Sequence, residues 1–314
     1  MTFTDAGNGT VAITMADTVP VTANVTSEEG DAVVSMVISQ PGAEVLVSGD
    51  PEAMRYDYAL PMLSISDFNV EGDAVPEDFP ALIDITMTDF TGFLAMKDAD
   101  VRNYDSVTSL GAILAEISVD VPENEGGGAF SMQFNVADLE QTASGALGSI
   151  EMDMSAAEII ATGMRQISTA SHGAASYTID VDGPEGAFAM QANVASGTLD
   201  LNMTEAGLSY STTADDTTVS ISGDMIPFPA VNLAMAQSGG TVTMPLVPGD
   251  APQDFGLVMR LVDLEIDDMI WGLFDPTGQI PRDPATLVID LGGKAVVTED
   301  FTSPEFAENA FPSM

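Results

Sequence analysis

The sequence predicts a mainly β protein: a long, curved antiparallel meander, an open half-barrel or β-groove, with a few short helices covering it. Three observations carry this. Most of the 314 residues fall into short segments of alternating polarity separated by Gly, Asp, Asn and Pro, the pattern of half-buried antiparallel strands. A ten-residue unit recurs, with residues 128–137 (GAFSMQFNVA) matching residues 186–195 (GAFAMQANVA) at eight of ten positions. Finally, one stretch, residues 261–293, breaks the alternation and holds the only tryptophan.

Taken in order, strands are predicted at TVAITM from Thr10, PVTANVT from Pro20, DAVVSMVISQ from Asp31, EVLVSG from Glu44, MRYDYAL from Met54, MLSISDFNV from Met62 and LIDITMTDF from Leu82. Turn chemistry separates them: SEEG from Ser27, QPG from Gln40, GDP from Gly49 and a Pro-rich acidic loop before Leu82. A short helix is expected over residues 104–114, before ILAEISVDV from Ile113 returns to strand. In the first repeat Phe130, Met132, Phe134 and Val136 share one face, with Ser131, Gln133 and Asn135 on the other; Phe188, Met190, Ala192 and Val194 do the same in the second. Each copy follows another alternating strand, so each is predicted to form a hairpin with one apolar side.

Between the copies, Ser155 and Glu158 form a capping box, and Ile159, Ile160, Met164 and Ile167 recur at helical spacing. They predict an amphipathic helix of about three to four turns covering part of the sheet. Strands resume at TLDLNM, GLSYSTT and TTVSISGDM, and PFPAVNLAMAQSGG suggests a short helix before TVTMPLV and GLVMRLVDLEI. In the stretch that holds the tryptophan, DDMIWGLF from Asp267 is expected as a helix with acids at its start. There Met269, Ile270, Trp271, Leu273 and Phe274 are expected to form an apolar plug against the sheet, with the DPTG and PRDP turns fixing its angle. The whole chain, 1–314, is read as one elongated unit with a soft boundary near 145–170. Its start in a strand and its lack of a closing element point to a piece of a longer protein.

Composition narrows the function. Forty-nine acidic residues against seven basic ones give a net charge of −42, which argues against nucleic acid as a partner because phosphate contacts require Lys and Arg. The acids alternate with apolar residues, as on a solvated outer face, and 45% hydrophobic content supports a folded chain. Salt suits such a surface because it screens self-repulsion. With no cysteine, disulfides and thiolate chemistry are excluded. No apolar run reaches membrane-spanning length, and no signal peptide opens the chain.

Catalytic patterns are weak. The single histidine, His172, falls in a small-residue segment and reads as an exposed loop residue; no phosphate loop, paired-histidine helix or nucleophile elbow is present. A carboxylate-dependent hydrolase is the enzymatic alternative, since such pairs are set by the fold. Two acidic loops, DADVRNYD from Asp98 and DVDGPEG from Asp180, offer oxygen ligands for calcium, but neither has EF-hand spacing and both read as solvated turns. No metal and no cofactor is expected. The 19 methionines give the sharper signal. Met87, Met132, Met190 and Met203, with Phe130, Phe134 and Phe188, lie on predicted apolar strand faces. Soft Met side chains adapt to irregular apolar ligands, so these residues are the candidate lining of an acyl-chain groove, or else core beneath the helices.

The run MIWGLFDPTGQIPRDPATLVIDLGG, followed by TEDFTSPEFAENA, resembles the secreted alphaproteobacterial proteins grouped as domain of unknown function 2125. The resemblance implies a periplasmic or secreted location, a signal peptide beyond this chain's start, and no catalytic residues to carry over. The meander pattern is also similar to AsmA-like envelope proteins, which implies lipid handling. The expected function is therefore a non-enzymatic envelope β-groove protein that binds or shields acyl chains, its partner a lipid. The alternative is a structural or protein-interaction module with an acidic outer face, its partner an envelope protein.

Overall fold

A computed structural model describes residues 1–27, 30–72, 81–97, 102–121, 127–148, 154–184, 186–224, 226, 230–279, 284–298 and 300. The strands are β1 (Thr2–Gly7), β2 (Thr10–Thr14), β3 (Thr18–Ser27), β4 (Gly30–Ser39), β5 (Glu44–Asp50), β6 (Ala53–Gly72), β7 (Ala81–Met96), β8 (Asn103–Val121) and β9 (Gly128–Ala146). After helix α1 (Ala156–Ala161) come β10 (Arg165–His172), β11 (Ala175–Gly183), β12 (Gly186–Val194), β13 (Ser196–Thr204), β14 (Gly207–Gly223), β15 (Val231–Met244) and β16 (Gln253–Ile266). Helix α2 (Asp268–Phe274) and β17 (Ala285–Ala295) complete the order.

All seventeen strands belong to one antiparallel sheet. Strands β5 through β9 pair successively, as do β14 through β17. Three of the long strands accept two short ones end to end on a single edge. Strand β6 takes β5 along residues 53–59 and β4 along 64–72; β9 takes β11 along 129–136 and β10 along 140–146; β14 takes β13 along 207–215 and β12 along 218–223. The sheet thus has two halves. The lower half holds β3, β4, β11 and β12, the upper half holds β1, β2, β5, β10, β13 and β17, and long strands run through both.

A line of left-handed aspartates divides the halves. Asp89, Asp138, Asp216 and Asp263 have φ of 54°, 51°, 46° and 51° within β7, β9, β14 and β16. Pairing on either side places Pro61 and Gly111 across from Asp89, Gly111 and Gly173 across from Asp138, and Ala236 across from both Asp216 and Asp263. Ordinary residues lose about 1–2 kcal/mol in this conformation, whereas Asp tolerates it through its short polar side chain. The apolar phase slips at each Asp: Ile83, Ile85 and Met87 give way to Phe90 and Leu94, and Phe134 and Val136 to Leu139 and Ala143. Segments that read as separate strands, such as those before and after Pro61 in β6 and across residues 214–216 in β14, are single strands.

Three helix expectations are corrected. Residues 104–114 lie within β8, where their small and β-branched residues pair with β7 and β9. Residues 231–244 form β15, the helical reading of NLAMAQ overridden by pairing on both edges. The capping box at Ser155 is present, with the Glu158 amide donating to Ser155 Oγ at 3.2 Å and the Ser155 amide to Glu158 Oε2 at 2.8 Å. The helix it starts runs for only six residues, because Gly163, at φ +93°, ends it and Ile167 belongs to β10, where it is exposed. Helix α2 forms where expected.

Few side chains of the sheet are fully covered among the described residues, and the close backbone contacts between elements join hydrogen-bonded neighbours. Buried apolar residues are few: Ala12, Ala43, Leu110, Val136, Ala146, Ile160, Ala175 and Leu246.

Candidate apolar binding face

Directly paired residues of antiparallel strands project to the same side, so the registers define rows of side chains crossing the sheet. One row in the lower half runs Val19, Ile38, Ile65, Ile85, Ala115, Phe134, Tyr177, Ala192, Val219, Leu233 and Ile266. At about 4.8 Å per strand it is about 48 Å long. A parallel row holds Ile83, Ile117, Met132, Ile179, Met190, Ile221 and Val231. Val119, Phe130, Val181 and Phe188 make a third, and Leu63, Met87, Ile113, Val136, Ala175 and Val194 a fourth.

Six of the residues expected to line a groove meet on this face: Met87, Phe130, Met132, Phe134, Phe188 and Met190. The internal repeat explains how. Each copy is the second strand of a hairpin, β8–β9 and β11–β12, and β11 also pairs with β9. The two copies therefore flank β11 and present matched Phe and Met positions to it. The Phe134 and Tyr177 rings meet at 4.9 Å with a 49° tilt. Met203 stands apart, on β13 in the upper half beside Gln166 and Leu208. These side chains are mostly half-buried, with Phe130 and Tyr177 exposed.

The apolar surface continues in the upper half, in residues of β14 to β17 outside the expected lining. One 400 Å³ depression is lined by Tyr210, Val242, Leu257, Met259 and Leu261, and a 480 Å³ one by Val242, Met244, Phe255, Leu257 and Leu291. The spacing of Phe255, Leu257, Met259 and Leu261 is the signal that marks them. The opposite side of the lower half is polar, as in the row Asp84, Glu116, Gln133, Thr178, Gln191, Ser220 and Asn232. A 540 Å³ cleft there is bordered by Asn193, Glu265, Asp267 and Asp268, and Asp267 Oδ2 accepts from the Asn232 amide and Nδ2 at 2.8 and 2.7 Å.

The expected plug is partial. Ile270 and Trp271 are half-buried, while Met269 and Leu273 are exposed, because a seven-residue helix has room for only one inward stripe. The Phe274 side chain and residues 281–283 of the PRDP turn lie outside the described residues, as do residues 98–101 of the first acidic loop. Trp271 Nε1 is buried without an acceptor. His172 is not a loop residue: it ends β10, half-buried, its ring against Gly197 and its Nδ1 2.8 Å from Gly173 O. Among the described residues no three His, Asp or Glu side chains gather as a cation site, and no helix is long and apolar enough to cross a membrane. No protein-family model, curated protein or solved structure matches the chain.

Proposed function

We propose that the protein is a non-enzymatic envelope protein, periplasmic or secreted, that binds or shields acyl chains on the apolar face of its sheet. The observation that supports this most is the unbroken apolar row from Val19 to Ile266, in which every residue stays half-buried or exposed. Burying one large apolar side chain contributes about 1.5–3 kcal/mol, so such a face stays open in water only at a cost that a hydrocarbon ligand offsets. Met132 and Met190 add adaptable contacts, and Phe134 and Tyr177 a rigid aromatic step.

The test is saturable binding of a nitrobenzoxadiazole-labelled acyl lipid. Phe134→Asp and Met132→Asp place a carboxylate in the rows and should weaken binding by about tenfold or more while circular dichroism stays unchanged. Equal affinity in folded variants would remove the reading.

A protein-interaction role is the second reading, and one edge favours it. Strand β17 pairs only with β16 among the described residues, ten of its eleven residues are exposed, and it carries exposed Leu287, Val288 and Leu291. In the lower half the edge strand β3 is guarded by Pro20, which has no amide proton to offer, and β1, the opposite edge of the upper half, is exposed but carries no large apolar side chain beyond Phe3. Strand addition at β17 would slow hydrogen exchange of residues 285–295: protection on adding a partner supports it, and unchanged exchange rejects it.

A further inference from the structure

The chain's few cations are not scattered over the sheet. Arg55, Lys97, Arg102, Arg165, Arg260 and Lys294 all belong to the upper half or its rim, above the aspartate line. Three of them are already committed: Arg55 to Asp57 at 2.6 Å, Lys294 to Asp254 at 3.0 Å, and Lys97 to Asp105. Arg165 donates to Asn103 Oδ1 at 2.9 Å. Arg282 lies outside the described residues. In the lower half the described residues include no Lys or Arg. Its polar side carries Asp84, Glu116, Asp120, Asp180, Asp182 and Glu265, all exposed. These carboxylates stand directly behind or at the end of the apolar rows.

Resting on the acyl-chain reading, we infer that the lower half selects lipids by headgroup charge: its occupant is a net-neutral acyl lipid, and anionic headgroups are rejected. A phosphate-bearing headgroup beside the row of Val119, Phe130, Val181 and Phe188, at the strand ends that carry Asp120 and Asp182, meets no counter-charge among the described residues of the lower half. It meets instead a one-signed field from carboxylates one sheet thickness away, about 10 Å, a distance comparable to the screening length at 0.1 M salt. A zwitterionic headgroup presents an ammonium along with its phosphate, so the same field costs it little. The acyl chains supply affinity in either case. The field supplies discrimination through repulsion of the wrong headgroup.

The chain contains no cysteine, so Ala192→Cys, in the row between Tyr177 and Val219, gives one labelling position on the face. With bimane attached there, the protein is titrated with diheptanoyl phosphatidylcholine and diheptanoyl phosphatidylglycerol, which have identical chains. At about 0.02 M salt phosphatidylcholine should bind about tenfold more tightly or better, and the gap should narrow by 1 M salt, where screening falls to about 3 Å. The double variant Asp120→Lys/Asp182→Lys should raise affinity for phosphatidylglycerol and leave phosphatidylcholine nearly unchanged. Equal binding of both lipids at low salt, or no response to the double variant, overturns the charge selection while leaving the acyl-chain reading intact. A label that responds to neither lipid overturns both.

Discussion

Asp138 lies over Gly173 on the neighbouring edge, so that a Cβ added to Gly173 would sit 3.1 Å from Asp138 Oδ2 and 3.4 Å from Ala137 O. The same relation links Asp89 to Gly111, where an added Cβ would meet Asp89 Oδ2 at 3.0 Å. A left-handed aspartate on one strand thus occupies space that a side chain on the next would need. The line between the halves is built from complementary residue types, and at each Asp the alternation slips by one residue, so that even and odd apolar positions serve the same sheet in succession.

The Asp138 position is therefore selective for conformation more than for charge. Asp138→Gly and Asp138→Asn should stay within about 0.5 kcal/mol of the parent in urea unfolding, whereas Asp138→Val, forced into the left-handed region, should lose about 1–2 kcal/mol. Gly173→Ala should lose about 1 kcal/mol, because the Asp138 carboxylate must give way. If Val and Asn variants unfold at the same urea concentration, the backbone account of the line is wrong.

Trp271 separates packing from hydrogen bonding. Its ring is half-buried and its Nε1 has no acceptor, so the N–H is a cost in the folded state. Trp271→Phe keeps most of the ring and removes that group; it should change stability by less than about 1 kcal/mol. Trp271→Ala should lose about 1–3 kcal/mol, less than a fully buried Trp, since Met269 and Leu273 beside it are already in solvent. Circular dichroism in denaturant is the measurement, because the substitution removes the only tryptophan fluorophore.

Burial raises the Tyr104 hydroxyl above the ordinary value of 10.0. The neutral phenol is thus favoured in the folded chain. Its contribution is fully present below pH 10 and is lost as pH rises from there through the raised folded value, because the unfolded chain ionises first. Tyr104→Phe should flatten the fall in melting temperature above pH 10; an unchanged slope would place its cause elsewhere.

The β class, the repeat and the apolar face were legible because period-two alternation survives any tertiary arrangement. Phe130, Met132 and Phe134 had to share a side once their segment was a strand. What alternation does not encode is which strand neighbours which. That β11 stands between the two repeats follows from β10 and β11 sharing one edge of β9, a non-local choice. Two helix expectations, over residues 104–114 and 227–240, failed for a local reason. A segment such as residues 231–244, where Val231, Leu233, Ala234, Met235 and Ala236 crowd together, fits either period, and pairing partners on both edges decided for strand. The aspartate line does leave a trace in the sequence: in TMTDF, NVADL and RLVDL an Asp interrupts an apolar alternation that resumes one residue out of phase.

The net charge of −42 sets the last expectation. Six described cations, several already paired, cannot offset carboxylates distributed along the sheet, so self-repulsion opposes the fold. Two strands carrying acids on one side, such as β8 with Glu116 and β11 with Asp180, lie about 10 Å apart when one strand intervenes. The screening length falls from about 30 Å at 0.01 M salt to about 8 Å at 0.15 M, crossing that separation. Most of the gain in melting temperature on adding sodium chloride should therefore arrive within this window. Sodium sulfate at equal ionic strength should match it there and exceed it only at higher concentration, where exclusion from apolar surface adds to screening. A melting temperature that is flat up to about 0.15 M sodium chloride and rises only with sulfate would show that exposed apolar surface, rather than charge, limits the stability of the sheet.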